Sequence, residues 1–357
     1  MIPGLTIRPA TPADHAALEE LFRATSMGSS IRLNIERDPD YFAGARVQAA
    51  DPCVWAAFDG NGRAVGMLSA GKRRVRLGDG EIELRYLCDL RIHRDWQRST
   101  LLARGFRLLK REIFAPREWA QTLVLEDNLQ AIELLSSHRA GLPEYRPAGI
   151  YATWLLPTQL VESDPAVTVR RATRADLPEM QLLYDDSTRR RSFAPVLDLN
   201  DLGGPAWRDL AIEDFLVAEK AGRIRGTTGL WDQNAFQRLR IAGYSQTLSL
   251  LRPLWNAGTR VSGGVALPKP GDALPLKKAT AVACADDDPA ILRALLAHAL
   301  KDDDGKLLLV GMSAADPLAA ALQGLRGRHD QGRHFLVGWE AEPPVWQEPF
   351  AFDVARI

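Results

Sequence analysis

The chain is poor in the residues that build covalently stapled or metal-stapled folds. Its 357 residues include only three cysteines, Cys53, Cys88 and Cys284, far apart in sequence. No Cys-x-x-Cys pair occurs, so neither a disulfide framework nor a zinc knuckle is expected. The six histidines form no His-x-His or His-Glu-x-x-His arrangement, so no metal site is expected. The nearest pair, His329 and His334, stands in a Gly/Arg-rich stretch that reads as a solvated loop. An excess of either charge is also missing: Lys plus Arg total 45 and Asp plus Glu total 45. Phosphate-backbone binding draws on surplus Lys and Arg, which argues against nucleic acid as a partner. No apolar run approaches the ~18 residues of a membrane span. The opening Met-Ile-Pro-Gly-Leu-Thr-Ile-Arg-Pro-Ala carries neither a basic nor an apolar leader segment. The expectation is a soluble cytoplasmic protein that engages neither membrane nor nucleic acid.

What the chain does have is a repeat. Residues 5–14, Leu-Thr-Ile-Arg-Pro-Ala-Thr-Pro-Ala-Asp, return 162 positions later as Val-Thr-Val-Arg-Arg-Ala-Thr-Arg-Ala-Asp over 167–176. Both copies read as a short strand followed by a helix, with Thr11 and Thr173 as N-caps. Leu18, Leu21 and Phe22 then follow at helical spacing in one copy, as Met180, Leu183 and Tyr184 do in the other. A second echo matches the strand–turn–strand pattern of 54–66 to that of 215–226, with Gly62, Arg63 and Gly66 mirrored by Gly222, Arg223 and Gly226. Two homologous domains are expected, 1–160 and 161–357, joined through the polar, proline-flanked stretch 156–165.

In the first half the order reads strand (5–9), helix (12–25), hairpin (54–76), strand (81–92), helix (99–114), strand (121–125), helix (128–138) and strand (148–155). That order suits a mixed α/β layer. In the second half a strand is expected over 277–285, a helix over 286–300, a buried strand over 307–310 and a helix over 314–322. The alternating 349–357 reads as a final strand. The aromatic stretch from Trp231 and Phe236 through Tyr244 to Trp255 reads as interdomain core, with a substrate groove as the other reading.

The Thr-Ile-Arg-Pro-Ala-Thr-Pro-Ala-Asp opening, the turn before Gly66, Leu90-Arg-Ile-His-Arg-Asp-Trp-Gln97 and Asn128-Leu-Gln-Ala-Ile-Glu-Leu-Leu135 resemble the GNAT superfamily of acyl-CoA-dependent N-acyltransferases. The resemblance spans most of 5–155 and is weaker in the second half, where it rests on 167–186 and 215–229. It implies an α/β (α+β) fold of two tandem GNAT-like domains, each with a mixed, mostly antiparallel central sheet flanked by helices. It also implies transfer of an acetyl group from acetyl-CoA to a primary amine of a small molecule or peptide. The alternative is a non-catalytic tandem member that binds a small molecule or a protein partner.

Residue by residue, the resemblance places backbone contacts to acetyl-CoA at Leu90, Arg91 and Ile92. It places the phosphates around Gln97, Arg98, Ser99, Thr100, Leu101, Leu102 and Ala103, with Asn128 supporting the cofactor. The family's Gln/Arg-x-x-Gly-x-Gly/Ala loop fits in two registers, one led by Gln97 with Thr100 and Leu102 at the glycine positions, one led by Arg98 with Leu101 and Ala103 there. The family's tyrosine acid falls on Leu135. A general base would come from the fourth strand, with Asp89 first and Glu83 second; the other reading of Asp89 is a partner for Arg91 or Arg85. Cys88 reads as a small buried apolar residue. In the second half Asp286, Asp287 and Asp288 occupy the corresponding loop, where they suit a helix N-terminus and repel a pyrophosphate. The acyl-CoA site is therefore expected in the first half, whose corresponding helix is basic at Arg98, Arg104, Arg107, Lys110 and Arg111, with a solvated helix face opposite Leu102, Phe106, Leu109 and Ile113 as the other reading of those charges.

Overall fold

Each half begins with the same local device. Thr11 and Thr173 share an extended backbone (φ −123°, ψ 166°), and each donates its N–H to an aspartate three residues on, Thr11 to Asp14 at 2.8 Å and Thr173 to Asp176 at 2.7 Å. The same carboxylates accept from both terminal nitrogens, Nη1 and Nη2, of an arginine in the preceding strand, Arg8 for Asp14 and Arg170 for Asp176. These arginines hold both carboxyls well below the usual carboxylate range. Asp176→Asn should therefore cost about 1 kcal/mol, kept low because Arg170 is partly exposed. Denaturant midpoints would show this loss at neutral pH. The difference should fade as pH falls below the ordinary carboxylate pKa, where wild type gives up the same charge.

The computed structural model describes residues 4–28, 30–49, 51–137, 139, 141–262, 265–301, 305–339 and 342–357. The first half runs β1 (Thr6–Pro9), α1 (His15–Ala24), β2 (Ile31–Arg37), α2 (Tyr41–Gln48), β3 (Val54–Phe58), β4 (Ala64–Leu77), β5 (Gly80–Ile92), α3 (Leu101–Glu112), β6 (Ala120–Leu125), α4 (Leu129–Leu135) and β7 (Glu144–Leu156). The second runs β8 (Thr168–Arg171), α5 (Leu177–Arg189), β9 (Phe215–Lys220), β10 (Arg223–Asp232), β11 (Gln237–Tyr244), α6 (Gln246–Ser262), β12 (Leu276–Cys284), α7 (Pro289–Ala299), β13 (Leu307–Ser313) and β14 (Arg328–Gly338).

Twelve of these strands form one mostly antiparallel sheet in the order β1-β3-β4-β5-β6-β14-β7-β13-β12-β10-β9-β8. The two halves meet at its centre by exchange. β14, from the second half, lies between β6 and β7 of the first, and β7 lies between β14 and β13. A separate two-stranded sheet pairs β2 with β11, bringing Arg37 opposite Gln237. Close helix packing is also repeated. A Cβ on Gly226 would meet Ile291 of α7 at 2.4 Å, and one on Gly66 would meet Leu101 of α3 at 3.0 Å.

Two sequence expectations are corrected. The stretch around His329 and His334 is the central strand β14 rather than a solvated loop, and His334 is fully buried. Its pattern hides this because both faces are covered, so Phe335, Leu336 and Val337 are consecutive core residues, while Arg328 and Asp330 pair with each other at the exposed end. The 349–357 segment is not a strand. It makes a single bridge from Phe350 to Ser192, then Asp353 accepts the Ala355 N–H at 3.0 Å and turns the chain into a short helical turn, Val354–Arg356. Phe350, Phe352 and Val354 fill the core between the halves. Trp231 and Phe236 are buried with Trp207 and Phe215, and Tyr244 is buried beside Leu267 and Leu274, whereas Trp255 is 53% exposed.

Candidate active site

β5 and β6 run parallel but pair only through Arg85 with Ala120 and Tyr86 with Gln121. The far edge of β6 is held by β14 as far as Leu125. Beyond Tyr86 the two strands therefore separate, and the edge of β5 over residues 87–92 is left open. On its other edge β5 slips against β4: Cys88 faces Ser69, Arg91 faces Met67, and Asp89 and Leu90 have no partner. Asp89 sits at φ 55°, in the left-handed region. Such a bulge re-aims side chains. Cys88, Asp89 and Arg91 turn toward α1 and α2, where they meet Gln48, Tyr41 and Thr25. Leu90 and Ile92 turn toward α3.

On the α3 side an apolar cleft with about 470 Å³ of empty space, partly open to solvent, runs between that helix and the sheet. Leu90, Ile92, Leu101 and Leu102 line it with Trp55 and Phe106. Ser99 Oγ accepts the Leu101 N–H at 3.1 Å, so one amide at the helix start is satisfied. The amides of Leu102 and Ala103 lie in the first turn and have no intrahelical acceptor. Arg98 and Thr100 stand exposed beside them, and Gln97 donates to the Ile92 carbonyl at 3.4 Å. Of the segment 90–103, Leu90, Arg91, Ile92, Leu101 and Leu102 line this cleft, whereas Gln97, Arg98, Ser99, Thr100 and Ala103 do not. Asn128 is apart from it as the N-cap of α4, its Oδ1 accepting the Ala131 N–H at 3.2 Å. Leu135 is buried in the core with Phe106 and Tyr145. Glu83 lies toward the β4–β5 turn, exposed and paired with Lys72 at 3.3 Å, and is not brought to the cleft.

On the α1–α2 side the Asp89 carboxylate, 7% exposed, accepts the Tyr41 hydroxyl at 2.7 Å and lies 3.1 Å from Arg37 Nη2. Its arginine partner is thus Arg37. Arg91 donates to the Thr25 carbonyl, and Arg85 pairs with Glu118. Arg37 stacks on the Tyr41 ring and donates Nε–H to Gln237 Oε1 at 3.0 Å, so the second half braces the group. Burial, and then the Asp89 charge, push the Tyr41 phenol well above its usual value and keep its proton on Oη. Burial and the same charge push the Cys88 thiol up to about 12, which removes it as a thiolate nucleophile. Arg37, Tyr41 and Gln237 are absent from the sequence-derived site. Asp40, capping α2 through the Ala43 N–H at 3.0 Å, was the available signal for that helix. Nothing local announces that β2 docks on a strand 200 residues away.

The second half repeats this backbone and lacks its chemistry. β12 and β13 are parallel neighbours only over Leu276–Lys278 and then separate, and β12 slips against β10 at the same place, with Ala281 at φ 47°. Ala281 stands where the first half has Asp89. Asp353 fills the position from within, its Oδ2 accepting the Thr280 hydroxyl at 2.6 Å and the Ala281 N–H at 3.4 Å. The acidic loop is also internally engaged. Asp286 pairs with Arg225, Asp287 lies 2.8 Å from both Arg190 and Arg191, and Asp288 caps α7 through the Ala290 N–H. Among the described residues no three His, Cys, Asp or Glu side chains gather to hold a metal ion, and no helix is long and apolar enough to cross a membrane.

No protein-family model and no curated protein matches the sequence. Solved structures match the fold. A GCN5-related N-acetyltransferase from Sphaerobacter thermophilus is similar with a TM-score of 0.55 at 12% identity, over 96% of this chain and 98% of that one. Another, from Anabaena variabilis, has a TM-score of 0.51 at 9% identity, over 93% and 72%. The N-myristoyltransferase of Saccharomyces cerevisiae, solved with bound myristoyl-CoA, has a TM-score of 0.55 at 11% identity, over 96% and 85%. This chain shares the fold of these N-acyltransferases.

Proposed function

We propose that the chain is a cytoplasmic acyl-CoA-dependent N-acyltransferase that passes an acetyl group from acetyl-CoA to a primary amine of a small molecule or peptide. The observation that carries this reading is the opening between β5 and β6, which ends at a bulge with unpaired backbone and a carboxylate, Asp89. A thioester laid along residues 87–92 would meet the free edge of β5, and the amides at the bulge would polarise its carbonyl. The amine nitrogen attacks the carbonyl carbon, a new C–N bond forms and the C–S bond breaks. The amine gives up its proton to Asp89, and CoA departs as the thiolate and takes a proton from solvent. Holding the two substrates together contributes much of the acceleration.

Binding without turnover is the second reading, favoured by the buried Leu135 where a proton donor to the sulfur would stand. Thiol release from acetyl-CoA in the presence of a panel of primary amines separates the two. Release above the blank supports the enzyme, whereas tight donor binding with no release from any amine supports a binding protein. Within the donor site, Arg98→Ala with Thr100→Ala should weaken acetyl-CoA binding about tenfold, the size of one lost charge-assisted contact. Asp286→Ala and Asp288→Ala should leave binding unchanged. Thermal-shift titration reads both.

A further inference from the structure

Helix α6 is held to the rest of the protein mainly by its polar side. Arg252 Nε and Asn256 Nδ2 both donate to the Leu267 carbonyl at 2.9 Å, and Asn256 Oδ1 accepts the Leu267 N–H at 2.8 Å. The indole N–H of Trp255 donates to the Val265 carbonyl at 2.9 Å, so the rest of that ring offers only apolar surface. Of the four leucines in α6 only Leu248 packs on a core cluster, beside Ile241, Tyr244, Leu267 and Leu274. The others face outward: Leu250 is 80% exposed, Leu251 50% and Leu254 73%, with Trp255 at 53%. These are four of the nine large apolar residues exposed in the described chain, so they make a patch rather than the single exposures any surface carries. At 3.6 residues per turn they share one helix face with Thr247 and Gly258, both exposed. The four large side chains offer roughly 500 Å² of apolar surface. With Pro253 and Ala257 exposed at its edge, the stripe approaches the ~600 Å² per partner at which specific interfaces begin.

The stripe is also self-complementary. Leu250 and Trp255, Leu251 and Leu254, and Thr247 and Gly258 are pairs equally spaced about one midpoint, between Arg252 and Pro253. Two copies of α6 laid antiparallel about that midpoint set each member of a pair against the other, with large side chains in the middle and small ones at the ends. A two-fold contact requires this reciprocity, residue i on j and j on i. No charge stands in the way, because α6 contains no Asp, Glu or Lys and Arg252 is turned onto Leu267. A lipid surface suits the helix less, since an interfacial helix keeps a basic polar face in water, and here Arg252 and Asn256 are bound to the helix's own following segment.

We propose that this face of α6 binds a second copy of the chain, as an antiparallel helix pair about a two-fold axis. The inference is independent of the acyltransferase reading. Sedimentation equilibrium of the full chain up to about 100 µM tests it, and a dimer with a Kd of about 1–50 µM is expected for a contact this small. Leu250→Glu and Leu254→Glu, each placing a charge on an apolar partner, should each raise that Kd about tenfold or more. Both sites are exposed in the single chain, so the urea midpoint at submicromolar concentration should not fall. Mixing Leu250→Glu with Trp255→Lys tests the register. Each variant alone puts two charges against apolar side chains, whereas the mixed dimer joins the two new charges once and keeps one native Leu250–Trp255 contact. The mixture should associate about tenfold more tightly than either variant alone. A chain that stays monomeric throughout, a dimer unchanged by both glutamate substitutions, or a mixture no tighter than its components would overturn the proposal. So would a monomer that sediments with vesicles of phosphatidylcholine and phosphatidylserine and loses them on Leu254→Glu, which would make the stripe a lipid-binding face.

Discussion

Acidification from pH 7 to pH 4 should remove about 3 kcal/mol of stability through one buried imidazole, His334. This side chain sits on β14 at the junction of the halves, against the rings of Phe193, Phe350 and Phe352. Its Nδ1–H donates to the Ala148 carbonyl at 3.2 Å, and Nε2 has no partner. Burial drives its pKa down to about 3, against the opposing Ala148 bond. The folded chain therefore keeps the ring neutral while the unfolded chain protonates it near pH 6.5, so stability is complete above that value and falls as pH drops toward 3. His334→Asn keeps an N–H near the position of Nδ1 and has no titration in this range. It should be less stable than wild type at pH 7, from lost ring contacts, and the gap should narrow by about 3 kcal/mol at pH 4. Urea denaturation at the two pH values measures it, and parallel losses in the two proteins would show that His334 does not govern the acid response.

The second large effect is expected at Asp89. Asp89→Ala leaves Arg37 buried without its counter-charge, and breaking such a pair costs about 3–5 kcal/mol. Removing both charges, Asp89→Ala with Arg37→Met, should recover most of that loss, because the desolvated guanidinium goes as well. Transfer activity should not recover even at saturating acceptor, since loss of a general base lowers kcat itself by about 10²–10⁴. The double variant thus separates the two roles of one carboxylate. Denaturation midpoints follow the first role and thiol release the second. Restored activity in the folded double variant would remove Asp89 from the chemistry.

The legible parts of the sequence are those with local causes. The Thr11 and Thr173 caps, the Gly62 and Gly222 turns and the hairpins they close depend on residues a few positions apart, and together they led to the expectation of two related halves. The segment 97–103 was legible for the same reason, as a strand end followed by a helix start. Strand exchange was not, because β14 meets β6 across some two hundred residues and carries no alternation once both its faces are buried. The bulge at Asp89 was hidden too. Cys88-Asp89 looks like any strand dipeptide until β4 supplies the slipped register. Arg37, Tyr41 and Gln237 escaped because their partnership exists only after β2 pairs with β11. The contrast between a basic first loop and an acidic second one pointed to the first half. The structure adds a reason the sequence could not supply: Asp353 occupies the second bulge.

The central claim is that one half carries an acyl-CoA site and the other has the same backbone closed from within. Calorimetric titration of the full chain with acetyl-CoA tests it most directly, through stoichiometry as well as affinity. One molecule bound per chain is the expected result, with Arg98→Ala and Thr100→Ala weakening that single event. Two molecules per chain, or no heat and no thermal shift at millimolar acetyl-CoA, would contradict it.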